Sequence, residues 1–280
     1  MRIRVWGCRG TIAAPGAGTV RYGGNTSCVE VRLDDGTAIV LDAGTGARAL
    51  GLALQEDPPE RIDLLLTHLH VDHLEGLSAF EPIWHPGTDL HIWGPASPVA
   101  SLDERIAYYF SPPLFPVHLS EVPARTTFHD APDDEVRIGG ATVWSEPILH
   151  PGPTVGYRIE AEGRVLAYLT DHEPALGTDL ETSPIEWISG SALAFGADLL
   201  IHDCQYTPEE YEGRVGWGHS TTEHVAAFAR GTKVDRLMLY HHDPMRSDEE
   251  LESMRDRVLE RWTAEPDRVL IAAEGSEHEV

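Results

Sequence analysis

Residues 62–73 of the chain read IDLLLTHLHVDH, an apolar strand that runs directly into three histidines and an aspartate. In an extended segment alternate side chains project to the same side, so His68 and His70 can hold one metal ion together. Asp72 and His73 begin the next turn and can face a neighbouring ion. Imidazole suits zinc and iron, and a carboxylate can serve a second ion alongside. The segment therefore predicts a metal site at the carboxyl end of a strand.

Two other interpretations of this segment are a solvated polar loop and a single structural metal ion. A solvated loop has no use for three imidazoles, which are costly to desolvate. Structural zinc usually recruits cysteine, and residues 67–73 contain none. The residues of this segment therefore favour a two-metal site over both of these interpretations.

Three strands in the second half of the chain also end in residues of the metal-ligand type. Layered α/β folds place their binding crevices outside the carboxyl ends of strands, so we expect these ends to converge on one site. They are the strand over 164–169, followed by Asp171, the strand over 198–201, followed by His202 and Asp203, and the strand over 236–240, followed by His241.

Hydrophobic periodicity and turn residues predict the other elements. We expect strands over 3–6, 27–33 and 37–41, and helices over 46–54, 74–80, 97–109, 184–194, 221–230 and 247–262. Ser220 and Glu223 have the spacing of a capping box at the start of the 221–230 helix. Because the chain has no internal repeat and no long linker, we predict a single domain over residues 1–280.

The charge of the chain restricts its partners. Its formal net charge is -25, with 46 acidic residues against 21 basic ones, and Lys233 is the only lysine. A long nucleic acid normally requires basic residues that displace counterions from several phosphates, so we expect no such partner. A small anionic substrate is still compatible, since two bound divalent cations would make the pocket locally positive.

Neither the start of the chain nor its apolar segments suggest a membrane. The N-terminus, MRIRVWGCRG, lacks the apolar region and cleavage site of a secretory signal. No apolar stretch approaches the roughly 20 residues needed to span a bilayer. We therefore expect a cytoplasmic protein. Cys8, Cys28 and Cys204 are an odd number in no paired motif, so we expect reduced thiols.

Residues 67–76, THLHVDHLEG, resemble the HxHxDH signature of the metallo-β-lactamase superfamily. The resemblance implies an α/β fold in four layers, an αβ/βα sandwich in which two mixed β-sheets pack face to face with helices outside. It covers nearly the whole chain, because candidates for the other family ligands follow in the family's order. They are His150 in the segment ILHP, Asp171 in YLTD and His241 in LYHH.

The resemblance also implies two divalent metal ions. Zn²⁺ is the expected metal and Mn²⁺ or Fe²⁺ are alternatives, since sites of histidine and aspartate accept all three. Asp42 would orient a ligand imidazole through its second nitrogen, and His242 is an alternative to His241. The first ion would take His68, His70 and His150, the second would take Asp72, His73 and His241, and Asp171 would bridge them.

A hydrolase is the reaction class that the resemblance implies. Two metal ions can hold a bridging hydroxide near neutral pH and polarise the bond under attack. Oxygen-reducing di-iron members of the superfamily have glutamate where His70 stands, so the sequence favours hydrolysis over redox chemistry. The glycine-rich residues 41–46 lack the third glycine of a dinucleotide motif. The chain also contains no GxSxG elbow of a serine hydrolase.

The segments GHST at 218–221 and IHDC at 201–204 resemble the branch that contains ribonuclease Z and cyclic-nucleotide phosphodiesterases. In that branch a histidine faces the substrate phosphate and protonates the leaving oxygen, and an acidic residue holds the histidine. The resemblance gives these roles to His219 and Asp203. Together with Asp72 they are the predicted catalytic residues.

The opening segments GCRG at 7–10 and RYGGNTS at 21–27 resemble the same branch. From this likeness we expect Asn25, with Arg9 or Arg21, to lie near the pocket and contact an anionic group of the substrate. Either arginine could equally be a surface charge.

Taken together, the sequence predicts a phosphodiesterase for a small phosphodiester such as a cyclic nucleotide, with a homodimer as a possible oligomeric state. Processing of tRNA 3′ ends is disfavoured by the charge and by the lack of a basic insertion that could bind tRNA. An acyl hydrolase of the same fold, acting on a lactone, lactam or thioester, is the main alternative. A non-catalytic nucleotide-binding protein is a further one, although such a role would not require a charged two-metal centre.

Overall fold

The computed structural model describes residues 1–280, and its first β-sheet holds the predicted metal-binding segment. This sheet contains β1 (Arg2–Gly7), β2 (Cys28–Arg32), β3 (Ala38–Leu41), β4 (Ile62–Leu65), β5 (Asp89–Gly94), β6 (Arg125–Asp130) and β14 (Glu277–Glu279). Its strand order is β14-β1-β2-β3-β4-β5-β6. Strands β3 to β6 run parallel to one another, so their carboxyl ends lie at the same edge of the sheet.

The second sheet supplies the other strand ends that the sequence singled out. It contains β7 (Val136–Ile138), β8 (Ala141–Pro147), β9 (Val155–Ala161), β10 (Arg164–Leu169), β11 (Leu199–Asp203), β12 (Arg236–Tyr240) and β13 (Val269–Ile271). Its strand order is β13-β12-β11-β10-β9-β8-β7. Strands β10 to β13 are parallel, which brings the ends of β10, β11 and β12 to one edge.

Helices cover the outer faces of both sheets. They are α1 (Ala47–Ala53), α2 (Leu102–Tyr109), α3 (Ser191–Ala194), α4 (Pro208–Tyr211), α5 (Thr222–Thr232) and α6 (Asp248–Trp262). Short 3-10 turns occur at Ala17–Thr19, Val71–His73, Glu75–Ala79, Glu81–Trp84, Leu119–Glu121, Ile185–Trp187 and Pro266–Arg268. None of these helices combines the length and the apolar composition that crossing a bilayer requires.

Three hydrophobic cores separate the four layers. The central core lies between the sheets and includes Ile39 and Leu41 from β3 with Tyr168 and Tyr240 from the second sheet. A second core joins the first sheet to α1 and α2, and a third joins the second sheet to α3, α5 and α6. Because both faces of β3 are covered, all four of its residues are buried. The predicted four-layer αβ/βα sandwich is thereby confirmed, and the three cysteines are buried and free.

The predicted helix over 97–109 is shorter in the structure because its true N-cap is Ser101. The Ser101 hydroxyl accepts from the Glu104 backbone, and the Glu104 side chain accepts from the Ser101 backbone. The predicted helix over 74–80 is a 3-10 turn. The one predicted over 184–194 is two short pieces, separated where Gly190 takes a left-handed φ of 71°.

The predicted capping box at Ser220 was wrong. Thr221 is the N-cap of α5, and its side chain accepts from the backbone of His224. The Ser220 hydroxyl instead donates to the backbone carbonyl of His172, 2.7 Å away. This bond ties the start of α5 to the loop that follows β10.

Candidate metal centre

The carboxyl ends of β3, β10 and β12 each turn sharply at a residue with a left-handed backbone. Asp42 has a φ of 60°, Asp171 of 54° and His241 of 54°. Residues other than glycine rarely adopt this conformation, because Cβ meets the backbone there, and strain of this kind concentrates at functional sites. The turns leave all three side chains buried between the sheets, beside the segment that follows β4.

The first group of predicted ligands, His68, His70 and His150, gathers around Asp171. Their ligand atoms and that of Asp171 all lie within 4.8 Å of one another. His150 Nε2 is 3.2 Å from His70 Nδ1. His68 Nε2 lies 3.6 Å and His150 Nε2 3.7 Å from the same oxygen, Asp171 Oδ2.

The second group, Asp72, His73 and His241, converges on the other oxygen of Asp171. His73 Nε2 lies 3.2 Å and His241 Nε2 3.1 Å from Asp171 Oδ1. Asp72 Oδ2 is 3.4 Å from His73 Nε2 and 3.2 Å from His241 Nε2. One carboxylate thus faces both groups, an arrangement suited to a bridge between two ions.

This donor set fits divalent cations. The two groups together form a ligand cage of His68, His70, His150, Asp72, His73, His241 and Asp171. Buried His68 Nε2 faces the other ligand atoms of this cage and has no hydrogen-bond partner in the protein. Burial lowers the pKa of His68, so its imidazole stays neutral, which is the form that binds metals. Burial also opposes the charged form of His73, yet Asp171, Asp72 and Asp42 raise its pKa well above the ordinary value. The cage therefore has the strong negative potential that a cation would relieve.

Buried acceptors fix the tautomers of two ligand imidazoles. His73 Nδ1 lies 2.9 Å from Asp42 Oδ2, and His150 Nδ1 lies 2.9 Å from the Gly218 carbonyl oxygen. A carboxylate and a carbonyl only accept, so each Nδ1 carries a proton and each Nε2 is the nitrogen that can offer its lone pair to a metal ion. Asp42 also accepts from the Thr67 backbone at 2.8 Å and the Tyr168 hydroxyl at 2.9 Å. The predicted orienting role of Asp42 agrees with this geometry.

His219 and Asp203 form a buried pair beside the cage. His219 Nδ1 is 2.7 Å from Asp203 Oδ2. The backbones of Gln205 and Ser220 donate to the same carboxylate at 3.0 and 3.2 Å. The His219 ring stacks on the His241 ring with centroids 5.1 Å apart. Burial alone would lower the pKa of His219, but the Asp203 carboxylate outweighs it and raises the pKa to about 9.

An open cavity of about 540 Å³ lies over the cage and the His219–Asp203 pair. This volume falls in the range of small-molecule sites. Its floor is formed by cage residues and His219, and its rim by the loops around 211–218 and 243–245. The lining residues are Thr11, His70, Val71, Asp72, His150, Asp171, Gln205, Tyr206, Arg214, Trp217, His219, His241, Asp243, Pro244 and Met245.

Asn25 and Arg21, which were predicted to contact the substrate, do not line this cavity. Asn25 donates from Nδ2 to Glu274 at 2.9 Å, which turns its amide away from the site. Arg21 pairs with Glu249 at 2.7 Å and with Glu252 on the outer surface of α6. The structure therefore corrects the placement of both residues.

Arg9 also differs from its predicted position, because its guanidinium is completely buried beneath the cavity rim. It donates to the carbonyl of Gly23 at 2.9 Å and to the carbonyls of Asp243 and Arg246 at 3.2 and 2.8 Å. All of these acceptors are backbone groups, and the remaining nitrogen, Nη2, is buried 3.8 Å from Asp248 Oδ1, so the side chain does not reach a substrate in the cavity. Arg9 instead fixes both ends of the loop that carries Asp243 and Met245.

Two other histidines considered from the sequence lie outside the cage. His242 Nε2 is 3.1 Å from the Ala272 carbonyl, so His241 and not His242 reaches the ligand cluster. His172 is buried and its Nδ1 is 2.9 Å from His202 Nε2. It belongs to the packing behind the His219–Asp203 pair.

Sequence reasoning missed three residues of the site. Arg214 and Trp217 line the rim, and Glu173 accepts from backbone groups of their loop. Their positions just before the GHST segment and just after Asp171 could have drawn attention to them. No sequence pattern indicates that the side chains of these three residues point toward the site.

A family model described as a Beta-lactamase superfamily domain matches residues 37–242. Ribonuclease Z of Thermococcus sibiricus is 24% identical over 267 residues, covering 80% of this chain and 83% of the relative. Ribonuclease Z of Lactococcus lactis is 28% identical over 267 residues, covering 81% and 86%.

Solved structures show the same fold. A diphosphatase of the PhnP family superposes with a TM-score of 0.69 at 19% identity, covering 100% of this chain and 97% of that one. Human tRNase Z, short form, superposes with a TM-score of 0.67 at 19% identity, covering 100% and 99%. The chain therefore belongs to the beta-lactamase superfamily, as the HxHxDH resemblance predicted, and the prediction of a metal-dependent hydrolase is confirmed at the level of this family.

Proposed function

We propose that the protein is a metal-dependent phosphodiesterase that hydrolyses a small phosphodiester such as a cyclic nucleotide. The observation that carries this proposal is the His219–Asp203 pair beside the ligand cage. A protonated imidazole at this position can bind an anionic diester and donate a proton to the oxygen that leaves. Relatives named ribonuclease Z and diphosphatase support a phosphate ester as the bond that is cleaved.

The ligand cage would hold two divalent cations. Zn²⁺ is the expected metal, and Mn²⁺ or Fe²⁺ are alternatives. When bound, they supply Lewis acidity, which makes a water molecule nucleophilic near neutral pH and offsets substrate charge. The protein itself orients the donors, since Asp42 fixes His73 and the Gly218 carbonyl fixes His150. One group would consist of His68, His70 and His150, the other of Asp72, His73 and His241, with Asp171 between them.

His219 is the proton donor in this proposal. Its Nδ1 is held by Asp203, so the proton available to the substrate is the one on Nε2. In the metal-free protein the Asp203 carboxylate outweighs burial and raises the pKa of His219 to about 9, which favours the protonated imidazole. An alkoxide leaving group is strongly basic and needs this proton when its bond to phosphorus breaks. Asp203 acts through His219 and is therefore a positioning residue.

RNA is the second candidate substrate, because relatives of this chain are named ribonuclease Z. These relatives give no support to the prediction that the protein has no long nucleic-acid partner. The charge of -25 favours the small diester over RNA, since a polyanion would be repelled over a long distance. An acyl hydrolase on the same cage is the third candidate. The charged His219 distinguishes it from the first two, because a scissile ester without charge gains less from a cation.

The test compares leaving groups. Metal-loaded protein is given a 3′,5′-cyclic nucleotide, bis-p-nitrophenyl phosphate, a lactone and a short RNA with a 3′ extension. Asp72→Ala should abolish turnover of every substrate that the protein accepts. His219→Ala should lower kcat on the cyclic nucleotide by about 10²–10⁴-fold. It should affect the p-nitrophenyl ester much less, since p-nitrophenolate departs without a proton.

Other results would point to the alternatives. Preferred turnover of the lactone, unaffected by His219→Ala, would indicate an acyl hydrolase and contradict the proposal. Cleavage of the RNA with no turnover of either small diester would indicate a nuclease.

A further inference from the structure

The rim of the cavity contains one permanently cationic side chain, Arg214. Cage carboxylates and Asp243 also line the cavity, and the chain as a whole carries a charge of -25. In such a field an arginine would normally be neutralised by a carboxylate. Its neighbours around the site follow this rule, since Arg9 faces Asp248, Arg21 pairs with Glu249, and Arg246 pairs with Glu210.

Arg214 makes no salt bridge. Its guanidinium carbon lies 4.8 Å from the centre of the Tyr206 ring, in cation–π contact. The same tyrosine ring makes an edge contact with the His219 ring, with centroids 5.7 Å apart. The Tyr206 ring thus contacts both the unpaired guanidinium of Arg214 and the imidazole of His219, the proposed proton donor. The planar face and donor fork of an arginine suit a phosphate group.

Two exposed apolar side chains line the same cavity as this cation. Trp217 keeps 59% of its surface exposed and Met245 keeps 89%, and both line the cavity. Single exposed apolar side chains are common on protein surfaces, but these two line the same cavity as the catalytic candidates, where a ligand can cover them. An indole face next to a guanidinium is a surface on which an aromatic ring can stack while an attached anion is neutralised.

The loop that carries Arg214 and Trp217 is anchored to the floor of the site by Glu173. This buried carboxylate accepts from the backbone of Gly216 at 2.8 Å and of Gly218 at 2.7 Å. Both glycines have left-handed φ angles, 85° and 88°, which a side chain would strain. Because Glu173 follows Asp171 by two residues, the rim loop and the cage share one support, and the rim is ordered before a substrate arrives.

We propose that Arg214 and Trp217 form a subsite for the substituent that stays on the phosphate when the scissile bond breaks. This substituent is an aromatic group that carries a second negative charge. The inference rests on the proposed phosphodiesterase function. Trp217 stacks on the aromatic ring, and Arg214 binds the second phosphate or carboxylate. A diester with one charge and alkyl substituents fills the floor of the cavity but leaves this subsite empty.

Three chromogenic diesters separate these contributions. Methyl p-nitrophenyl phosphate has neither feature, thymidine 5′-(p-nitrophenyl phosphate) adds the base, and its 3′-phosphorylated form adds the second charge. All three release p-nitrophenolate, so the bond that breaks is the same. The wild-type kcat/KM should rise at each step, and the ratio between the last two substrates measures recognition of the second charge.

Arg214→Ala should lower that ratio by about tenfold, as expected for one lost charge-assisted hydrogen bond, and Arg214→Lys should restore part of it. Trp217→Ala should lower the ratio between the second and first substrates by about tenfold, and Trp217→Phe should keep most of it. Two matched controls lie away from the cavity. Arg137→Ala removes an exposed arginine on β7, and Trp187→Ala removes a tryptophan that is 78% exposed. Neither should change any ratio.

Binding of thymidine 3′,5′-bisphosphate, measured by calorimetry on the metal-loaded protein, keeps this test independent of turnover. Arg214→Ala and Trp217→Ala should each raise its Kd, while Arg137→Ala should not. If the protein turns over none of the diesters but binds the bisphosphate through Arg214, the proposed function fails and the subsite stands. If it turns over methyl p-nitrophenyl phosphate while neither Arg214→Ala nor Trp217→Ala changes a ratio or a Kd, the function stands and the subsite is refuted.

Discussion

Replacement of Asp42 by asparagine should weaken metal binding without removing a ligand. In the wild type, the Asp42 carboxylate accepts from Thr67 with one oxygen and from Tyr168 and His73 with the other. An asparagine that keeps its oxygen toward Thr67 presents its NH₂ group to His73. Because that group only donates, His73 Nδ1 must accept, and the ring proton moves to Nε2. A neutral His73 then keeps its proton on Nε2, which leaves that nitrogen no lone pair for a metal ion.

The size of this effect follows from the contact between Asp42 and Nδ1 of His73, the ring nitrogen that does not face the metal. Changes to a group that orients a metal-bound imidazole typically cost 10- to 100-fold in affinity. The loss should fall on the ion held by the second group, because His73 belongs to that group. In the metal-free protein, two hydrogen bonds to a charged acceptor are altered, so the free energy of unfolding should fall by about 1–3 kcal/mol.

Competition with a chromogenic chelator measures the two affinities separately. Asp63→Asn is the matched control, since Asp63 is another buried aspartate of the first sheet and binds Arg61 and Trp93 away from the cage. Asp42→Asn should weaken one of the two metal equivalents, and Asp63→Asn should weaken neither. Equal affinities in Asp42→Asn and the wild type would refute the reasoning about the tautomer of His73.

Three further perturbations test other parts of the account. The Asp203 carboxylate raises the pKa of His219, and the acid form of His219 is lost as the pH rises through that pKa; Asp203→Asn should therefore lower the pKa and move the alkaline limb of the kcat–pH profile to lower pH, and an unmoved limb would show that another group titrates. Glu173→Gln should loosen the rim loop, so trypsin should cleave after Arg214 faster than in the wild type, and an unchanged cleavage rate would contradict the anchoring role. Arg9→Met leaves three backbone carbonyls without their donor and should lower the free energy of unfolding in urea by about 2–4 kcal/mol; a change below about 0.5 kcal/mol, as at ordinary surface positions, would argue against the structural role of Arg9.

The sequence was most informative where residues of the metal-ligand type directly follow an apolar strand. The segment 67–73 places four potential ligands, three histidines and one aspartate, directly after an apolar strand. The alternation of its side chains assigns His68 and His70 to one ion and leaves Asp72 and His73 to the following turn. Asp171 and His241 could be located because each follows a strand that is buried and apolar. The structure adds their left-handed backbones, which turn the side chains into the cage.

Side-chain direction could not be read from the sequence in the same way. An arginine in a glycine-rich segment can face a cavity, the solvent or the interior, and the segment itself does not decide between them. Arg9 points inward because the carbonyls of the loop after β12, far along the chain, complete its hydrogen bonds. Arg21 points outward because α6 supplies Glu249 and Glu252. The rim residue Arg214 lines the cavity from a loop that Glu173 holds through the backbones of Gly216 and Gly218.

The central claim is that one cluster of histidines and aspartates holds a pair of cations, and anomalous diffraction tests it most directly. Crystals grown with Zn²⁺ and measured at the zinc edge should show two peaks per chain. One peak should lie among His68, His70 and His150, and the other beside Asp72, with Asp171 contacting both. A single peak, no peak, or zinc bound elsewhere on this acidic surface would contradict the account.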